Sequence, residues 1–292
     1  MQINFMISII LVNYNAQDLT AQAVESIFAV CPDILFEIIV VENGSDAAQK
    51  YFCTHERVRI LRDIENRGFG HACNIGAQHA AGAFLLFLNN DTIMHTGTLE
   101  VAAQYLRDHP AVGALSVRVL LADGTLDHAC KRGFPTPMSS LYYFTGLDKK
   151  FPENQKIGAY RQTFVPETAV CKVDAVTGAF LMMPRHVFSE LNGFDESFFM
   201  YGEDIDLCYR VNQLGYQVIY YGKATITHLK GQSGLHKSSK KVIYHFYDSM
   251  KHFYRKHYQK KYNPWVTAAV YGGIQLKYWL TLTRMKKRYR CS

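Results

Sequence analysis

The apolar residues in the first hundred positions of the chain follow two alternating patterns. Short continuous apolar runs, typical of strands buried on both faces, occupy Met6–Val12, Phe36–Val41, Val58–Leu61 and Phe84–Leu88. Helical periodicity marks the segments that alternate with them, at Leu19–Val30, Asp46–Phe52, Gly70–Ala81 and Thr98–Asp108. This alternation predicts an α/β fold with a mainly parallel central sheet flanked by helices.

The remainder of the chain is less regular. Residues 122–172 show little periodicity, and their Gly, Pro and aromatic content predicts a long, irregular or partly helical insertion over the sheet edge. Regular patterns return as a strand at Val173–Met183, a helix at Glu203–Leu214 and a strand at Tyr216–Tyr221. We therefore predict an α/β domain over residues 1–235, with halves 1–121 and 122–235, and a helical C-terminal extension over 236–292.

Composition and charge narrow the possible classes. The 292 residues are 48% hydrophobic and 20% charged, which excludes disordered and collagen-like chains. Seven scattered cysteines without a C-x-x-C pair predict reduced thiols, and the N-terminus lacks a secretion signal, so we expect a cytoplasmic protein. From Lys223 onward the chain carries 16 Lys or Arg and one acid, Asp248. This basic segment predicts an anionic partner: a membrane surface, a nucleic acid or a phosphorylated substrate.

Polar clusters follow three of the predicted strands. They are Asn13-Tyr14-Asn15, Glu42-Asn43-Gly44-Ser45-Asp46 and Asn89-Asn90-Asp91-Thr92. Ligands bind beyond the carboxyl ends of strands in sheets of this kind, so these clusters are expected to converge on one site. The Asp91 carboxylate could hold Mg²⁺ or Mn²⁺ together with phosphate oxygens, although such residues at a strand end are also turn formers and helix caps.

Three further segments carry candidate chemistry. Glu203-Asp204-Ile205-Asp206 opens a predicted helix, where a carboxylate could accept a hydroxyl proton or merely complement the helix dipole. The glycine turn of Asn66–Gly76 has Cys73 where a dinucleotide fingerprint needs its third glycine, which disfavours NAD binding; a phosphate or sugar could still approach it, with Arg67 as charge partner. His228 gains importance only if it lies near Asp91.

These motifs together resemble the family-2 glycosyltransferases with the GT-A fold, particularly the bacterial rhamnosyltransferase-like branch. The resemblance covers about residues 5–235, and the matching segments occur in the family's order. They are Ser8–Asn15, Val40–Ser45, Asn66–Asn74, Leu88–Thr92, Thr177–Leu181, Gly193–Glu196 with Phe198-Phe199, and Glu203–Leu207. An ordered series of this kind is far more specific than any single motif.

The resemblance implies an inverting transfer of a sugar from a nucleoside-diphosphate sugar, either dTDP-rhamnose or a UDP-sugar. The acceptor would be a hydroxyl of a cell-surface polysaccharide or a lipid-linked saccharide. Asp204 would be the general base and Glu203 would help to hold the acceptor, together with Gly178 and Phe199. A divalent cation, Mg²⁺ or Mn²⁺, would be held by Asp91 and His228. The implied nucleotide-sugar-binding residues are Asn13, Tyr14, Glu42, Asn43, Arg67, Gly68, Asn74, Asn89, Asn90 and Asp91.

The sequence departs from the family pattern at two of these positions. Glu42 stands where the family more often has Asp, which lengthens the side chain in the nucleobase pocket by one methylene. Asn89 replaces the first carboxylate of the D-x-D motif, so metal binding would rely on Asp91.

The C-terminal extension contains a mostly apolar stretch, Trp265–Thr283, that Gln275 and Lys277 interrupt. Aromatic residues and flanking Lys and Arg favour a helix lying in the interface of the cytoplasmic membrane over one that spans it. The protein is therefore expected to be peripheral on the inner face of the membrane. A terminal helix packed on the protein is the alternative.

Two other functions compete with the transferase. A nucleotidyltransferase is expected to have a glycine-rich, basic loop after the first strand, where this chain has Asn13-Tyr14-Asn15-Ala16. A nucleic-acid-binding protein would use the basic tail and its aromatic residues, but the ordered acidic and glycine motifs would have no role. We therefore predict no nucleic-acid partner.

Overall fold

The computed structural model describes residues 5–31, 34–63, 65–229 and 240–290, with side chains as far as Met285. Within these residues, nine strands form one sheet that helices flank. The strands are β1 (Ile7–Asn13), β2 (Phe36–Asn43), β3 (Val58–Asp63), β4 (Phe84–Leu88), β5 (Thr92–Met94), β6 (Val112–Leu121), β7 (Val170–Val173), β8 (Phe180–Pro184) and β9 (Gln217–His228). The helices are α1 (Gln17–Val30), α2 (Phe69–Gln78), α3 (Thr98–Asp108), α4 (Pro137–Thr145), α5 (Leu147–Lys150), α6 (Arg185–Glu190), α7 (Glu203–Gln213), α8 (Lys240–His257) and α9 (Pro264–Arg290).

The N-terminal half of the sheet is parallel, as predicted. Its strands lie in the order β3-β2-β1-β4, and all three pairings are parallel. The side chains of β1 and β4 are almost entirely buried, because helices cover both faces. This burial explains why the apolar runs along the chain are continuous rather than alternating.

The other half of the sheet is mixed, so the predicted mainly parallel sheet is only partly confirmed. β8 runs antiparallel to β4 and β6, and β9 runs parallel to β6. β5 and β7 both pair antiparallel with β9. These strands pair across long sequence separations, and local apolar patterning carries no information about the direction of such partners.

Two predicted elements need correction. The helix predicted at Asp46–Phe52 is only a short 3₁₀ turn at Ala47–Gln49, because Tyr51 N donates to Glu42 and ties the segment to β2. The strand predicted at Val173–Met183 is two strands, β7 and β8, with a turn between them. The region 122–172 is partly helical, as predicted, and contains α4 and α5. The strands β5 and β6 were not predicted from the sequence.

The C-terminal extension is helical, as predicted, and it packs on the α/β domain. Asp206 of α7 is fully buried and contacts three basic side chains: Arg210 Nε at 2.7 Å, Lys256 Nζ at 2.6 Å and His257 Nε2 at 2.7 Å. Because Lys256 and His257 belong to α8, this cluster fixes α8 against the domain. The predicted domain boundary at 235/236 lies outside the described residues. No helix in the described parts of the chain is both long and apolar enough to cross a membrane.

Candidate active site

The ends of β1 and β2 are joined by a buried polar network. Asn13 Nδ2 donates to both carboxylate oxygens of Glu42, at 3.0 and 3.1 Å, and to Ser45 Oγ at 3.3 Å. Asn13 and Glu42 are almost completely buried, whereas the neighbouring Tyr14 is half-buried. Asn13 and Glu42 therefore stabilise the loops that follow β1 and β2 through buried hydrogen bonds.

The glycine turn before α2 brings two predicted subsites together. Asn43 Nδ2 donates to the carbonyl of Gly68 at 3.3 Å, and Phe69 N donates to the carbonyl of Phe199 at 3.1 Å. Gly68 has φ +106°, and a Cβ placed on it would lie 2.5 Å from the Phe199 carbonyl oxygen. Only glycine fits this approach, which places the predicted nucleotide-side turn directly against the predicted acceptor-side loop.

Two other residues predicted to bind the nucleotide sugar form hydrogen bonds within the protein. Asn74 clamps the backbone of Phe194, donating to its carbonyl at 3.0 Å and accepting from its N–H at 2.8 Å. Asn90 is buried and donates to Thr20 at 3.0 Å. Arg67, by contrast, keeps 56% of its side chain exposed beside Asp63. The structure therefore leaves Arg67 accessible and uses Asn74 and Asn90 to hold the loops in place.

Asp91 and His228 meet across the sheet edge. Asp91 follows β4 and His228 ends β9, and their side chains are in contact, with Asp91 Oδ1 3.0 Å from His228 Nε2. The other imidazole nitrogen, Nδ1, lies 3.4 Å from Asp127 Oδ2. Burial acts to lower the pKa of His228, but its interactions with Asp127 and Asp91 outweigh burial and raise that pKa. The imidazole is thus held between two carboxylates.

The carboxylate of Asp204 is fixed from three directions. Its Oδ2 accepts from Arg132 Nη2 at 2.6 Å and from Gly178 N at 3.2 Å, and its Oδ1 accepts from Ile205 N at 2.7 Å. The side chains of Arg132 and Asp204 are each 13% exposed. A guanidinium and a carboxylate at this distance form a charge-assisted hydrogen bond, which fixes the orientation of the carboxylate.

Glu203 has the opposite environment. Burial, and next the negative charge of Asp204, raise the pKa of Glu203 to about 8. Its Oε2 is buried and has no hydrogen-bond partner in the part of the chain that the structure describes. The two adjacent carboxyl groups therefore differ: Asp204 is hydrogen-bonded at both oxygens, whereas Glu203 retains a proton near neutral pH.

Short contacts connect the two clusters into one site. Asn89, two residues before Asp91, donates its backbone N–H to the carbonyl of Ala179 at 3.2 Å, and its side chain lies 3.4 Å from His228 Nε2. Gly178, which precedes Ala179, donates to Asp204. The Asp91–His228 pair and the Asp204 carboxylate are thus linked through Asn89, Ala179 and Gly178.

The chain matches the models of known protein families. The model of the family described as "Glycosyl transferase family 2" matches residues 8–162, more than half of the chain. The chain belongs to glycosyl transferase family 2. A second model, described as "N-terminal domain of galactosyltransferase", matches residues 169–232. The resemblance drawn from the ordered motifs is therefore confirmed, and the chain is a glycosyltransferase.

Curated relatives include several rhamnosyltransferases. Rhamnosyltransferase WbbL of Escherichia coli is 28% identical over 262 residues, covering 86% of this chain and 94% of that protein. The N-acetylglucosaminyl-diphospho-decaprenol L-rhamnosyltransferase of Mycobacterium tuberculosis is 28% identical over 67% of each chain. The O-antigen biosynthesis protein RfbC of Myxococcus xanthus is 29% identical over 78% of this chain, which spans only 17% of RfbC.

Solved structures confirm the GT-A fold. The mannosyltransferase PcManGT of Pyrobaculum calidifontis, solved with GDP-Man and Mn²⁺, aligns with a TM-score of 0.59 and covers 98% of this chain and 74% of that one, at 16% identity. GalNAc-T7, solved with UDP, GalNAc and Mn²⁺, aligns with a TM-score of 0.57 over 86% of this chain and 50% of that one, also at 16% identity.

The residues present fit a divalent cation that is coordinated partly by the protein and partly by a diphosphate. In the described residues, no group of three or more His, Cys, Asp or Glu side chains is arranged to hold a metal by itself. Asp91 and His228 offer one carboxylate oxygen and one imidazole nitrogen. The carboxylate of Asp127 lies on the other side of the imidazole, where it can orient the ring. The remaining ligands would be phosphate oxygens and water.

Two residues of this site were absent from the sequence-based prediction. Arg132 and Asp127 both lie in the insertion, where no periodicity or motif marks them. Each acts on a residue that the motifs did identify, Arg132 on Asp204 and Asp127 on His228. A basic residue close in the sequence to Asp204 would have suggested an ion pair with it. Arg132 is far from Asp204 in the sequence, so no such signal was present.

Proposed function

We propose that the protein is an inverting glycosyltransferase that uses a nucleoside-diphosphate sugar, with dTDP-rhamnose as the leading donor and UDP-sugars as the alternative. One observation carries the proposal: the Asp91–His228 pair and the Asp204 carboxylate lie on one edge of the sheet, joined through Asn89, Ala179 and Gly178. The similarity to rhamnosyltransferases supports the choice of donor.

Asp204 is the proposed general base. It takes the proton of the acceptor hydroxyl as the hydroxyl oxygen forms a bond to the anomeric carbon and the bond from that carbon to the diphosphate breaks. Arg132 orients Asp204 through the hydrogen bond between their side chains. Glu203, which holds its own proton near neutral pH and has an unpartnered buried oxygen, would hydrogen-bond the acceptor beside Asp204.

The donor is proposed to lie across the carboxyl ends of β1, β2 and β4. Tyr14 and Arg67 are the accessible side chains proposed to contact it, while Asn13, Glu42, Asn43, Asn74 and Asn90 support the surrounding loops. Asp91 and His228, with Asn89 beside them, would hold Mg²⁺ or Mn²⁺. When bound, such a cation neutralises negative charge on the leaving diphosphate. The metal dependence is part of the proposal.

The proposed acceptor is a saccharide of the cell envelope, carried on a lipid. Relatives named for O-antigen biosynthesis and for transfer to a decaprenol-linked saccharide support this choice. Gly178 and Phe199 would line the acceptor side, next to Glu203. We further propose that the C-terminal extension holds the enzyme at the cytoplasmic face of the membrane, where a lipid-linked acceptor is available.

The test is release of nucleoside diphosphate from dTDP-rhamnose and UDP-sugars, with a polyprenyl-diphosphate-linked N-acetylglucosamine as acceptor and with Mn²⁺ or EDTA. We expect acceptor-dependent release that Asp204→Asn abolishes, while the variant still binds dTDP or UDP. Asp108→Asn, an exposed acid on α3, is the matched control and is expected to be fully active. A fully active Asp204→Asn enzyme would contradict the assigned base, and diphosphate release from a sugar phosphate and a nucleoside triphosphate would favour a nucleotidyltransferase instead.

A further inference from the structure

The exposed face of α9 is an apolar strip. Its four large members are Trp265, Leu276, Trp279 and Leu280, with exposures of 84%, 62%, 57% and 44%. The small exposed residues between and after them are Ala268, Ala269, Gly272, Gly273 and Thr283. These positions recur at spacings of three, four and seven residues, so they lie along one side of the helix. From Trp265 to Thr283, a range that the structure describes throughout, none of the exposed side chains is charged.

The two polar residues that interrupt this apolar stretch in the sequence point toward the protein. Gln275 accepts from Lys251 Nζ of α8 at 2.7 Å. Lys277 Nζ donates to the carbonyl of Phe144 in α4 at 3.0 Å and lies 5.5 Å from the centre of the Phe144 ring. Because both polar groups are satisfied on the inner side, they leave the outer strip apolar.

The strip is not needed to hold α9 in place. The inner side of α9 packs on α8 through Ile274, which is buried with Ile243 and Tyr247. Tyr247 also hydrogen-bonds Thr281, at 2.7 Å. A row of exposed Trp and Leu side chains on an already docked helix is a surface available to a partner.

The charged residues around the strip indicate what kind of partner binds it. Lys260 precedes α9 and is exposed, Arg284 follows the strip and is exposed, and the chain continues with Lys286, Lys287 and Arg288. Tryptophan side chains favour the membrane–water interface, and flanking Lys and Arg attract anionic lipid headgroups. The geometry points to an anionic phospholipid bilayer as the partner, with α9 lying flat on its surface and the strip facing the acyl chains.

This surface also adjoins the acceptor side of the site. The helix under α9 is α8, and its His245 ring stacks on Phe199 with the ring centres 4.3 Å apart. Lys241 of α8 lies 5.2 Å from the centre of the same ring. A bilayer bound by α9 would thus lie one helix away from the residue proposed to line the acceptor subsite. The inference rests on the proposed membrane attachment, and it specifies the surface responsible.

Flotation with vesicles tests this assignment on the full chain. The probes are vesicles of phosphatidylglycerol and phosphatidylcholine, with pure phosphatidylcholine for comparison. We expect the wild type to float with the anionic vesicles and the double variant Leu276→Ser/Trp279→Ser to bind them at least tenfold more weakly. Leu35→Ser, which removes a leucine of 53% exposure at the start of β2, is the matched control and is expected to bind like the wild type. Thermal unfolding verifies that all three proteins fold equally well.

The remaining outcomes distinguish the role of the apolar strip from membrane attachment as such. Equal vesicle binding by the double variant and the wild type would show that the strip is not the membrane surface while leaving attachment intact. Failure of the wild type to bind anionic vesicles would overturn both. A wild type that is dimeric without lipid and a double variant that is monomeric, with neither binding vesicles, would assign the strip to self-association. Transfer to a water-soluble acceptor is expected to be unchanged in the double variant, which keeps this test independent of the chemistry.

Discussion

Arg132 Nη2 lies 2.6 Å from Asp204 Oδ2, although the two residues are far apart in the sequence. The same guanidinium nitrogen donates to the carbonyl of Val176 at 2.9 Å, and the backbone of Arg132 pairs in both directions with Ala175. Backbone hydrogen bonds therefore hold both the main chain and the guanidinium of Arg132 in the position from which it contacts the carboxylate. This gives the insertion a direct connection to the proposed general base.

The first prediction concerns Arg132. Arg132→Met removes the guanidinium that holds the Asp204 carboxylate in place, so we expect kcat to fall by about 10²-fold while the KM for the donor changes little. Arg132→Lys, which keeps the positive charge, is expected to recover part of the lost kcat. Lys172→Met, at an exposed site on β7, is the control and is expected to leave kcat unchanged. The measurement is kcat and KM for each variant, and an Arg132→Met enzyme with the kcat of the wild type would contradict the proposed role of Arg132.

The second prediction concerns Glu203 and stability. Its pKa is raised from 4.5 to about 8, so the folded state holds this proton more tightly than the unfolded chain does. The resulting stabilisation is complete below pH 4.5 and is lost as the pH rises toward 8. Glu203→Gln stays neutral throughout, so its Tm is expected to fall less than that of the wild type over this window. Thermal unfolding at several pH values checks this, with Glu65→Gln as an exposed control, and parallel curves for wild type and Glu203→Gln would count against it.

The third prediction concerns the metal and the donor. Wild-type protein saturated with dTDP or UDP and Mn²⁺ is expected to gain about 2.7 kcal/mol at a ligand concentration of a hundred times Kd, seen as a rise in Tm. Asp91→Ala is expected to lose the metal-dependent part of that rise, because it removes the only carboxylate of the proposed ligand pair. Asp108→Asn is the control. An unchanged response of Asp91→Ala to Mn²⁺ would exclude Asp91 as a ligand.

The fourth prediction concerns the attachment of α8. Asp206 is fully buried among Arg210, Lys256 and His257, so Asp206→Asn leaves cations without their counter-charge. We expect a loss of about 3–5 kcal/mol of unfolding free energy, measured by denaturant titration. Asp248→Asn, an exposed acid on α8, is expected to change little. A loss as small as that of the control would mean that the cluster does not hold α8.

The fifth prediction distinguishes the effect of backbone strain from that of a steric clash at Gly68. Gly68→Ala adds a Cβ that meets the Phe199 carbonyl at 2.5 Å in a residue with φ +106°. Gly97→Ala adds a Cβ at φ +77° with nothing within 4 Å. The Gly97 variant is expected to lose about 1 kcal/mol from backbone conformation alone. The Gly68 variant is expected to lose more, and also to lose transfer activity because the loop carrying Phe199 must move. Equal losses of stability in the two variants would argue against close packing at this turn.

The sequence was sufficient where structure depends on local patterns. Apolar runs predicted β1, β2 and β4 because these strands are buried on both faces, and a shorter run predicted the more exposed β3. The ordered motifs identified the family. The motifs also named Asp91, His228 and Asp204, which the structure brings to one edge. The helix predicted at Asp46–Phe52 was wrong because a tertiary contact, Tyr51 N to Glu42, overrides local propensity.

The tertiary structure decided what depends on distant partners. The antiparallel direction of β8, the pairing of Arg132 with Asp204 and the position of Asp127 behind His228 all join residues far apart in the chain. The inward orientation of Gln275 and Lys277, which leaves an apolar strip on α9, likewise depends on Lys251 and Phe144. Periodicity indicates whether a residue is buried, but only tertiary packing determines which residue it contacts. Those contacts determine the orientation of the proposed base and the surface that the last helix exposes.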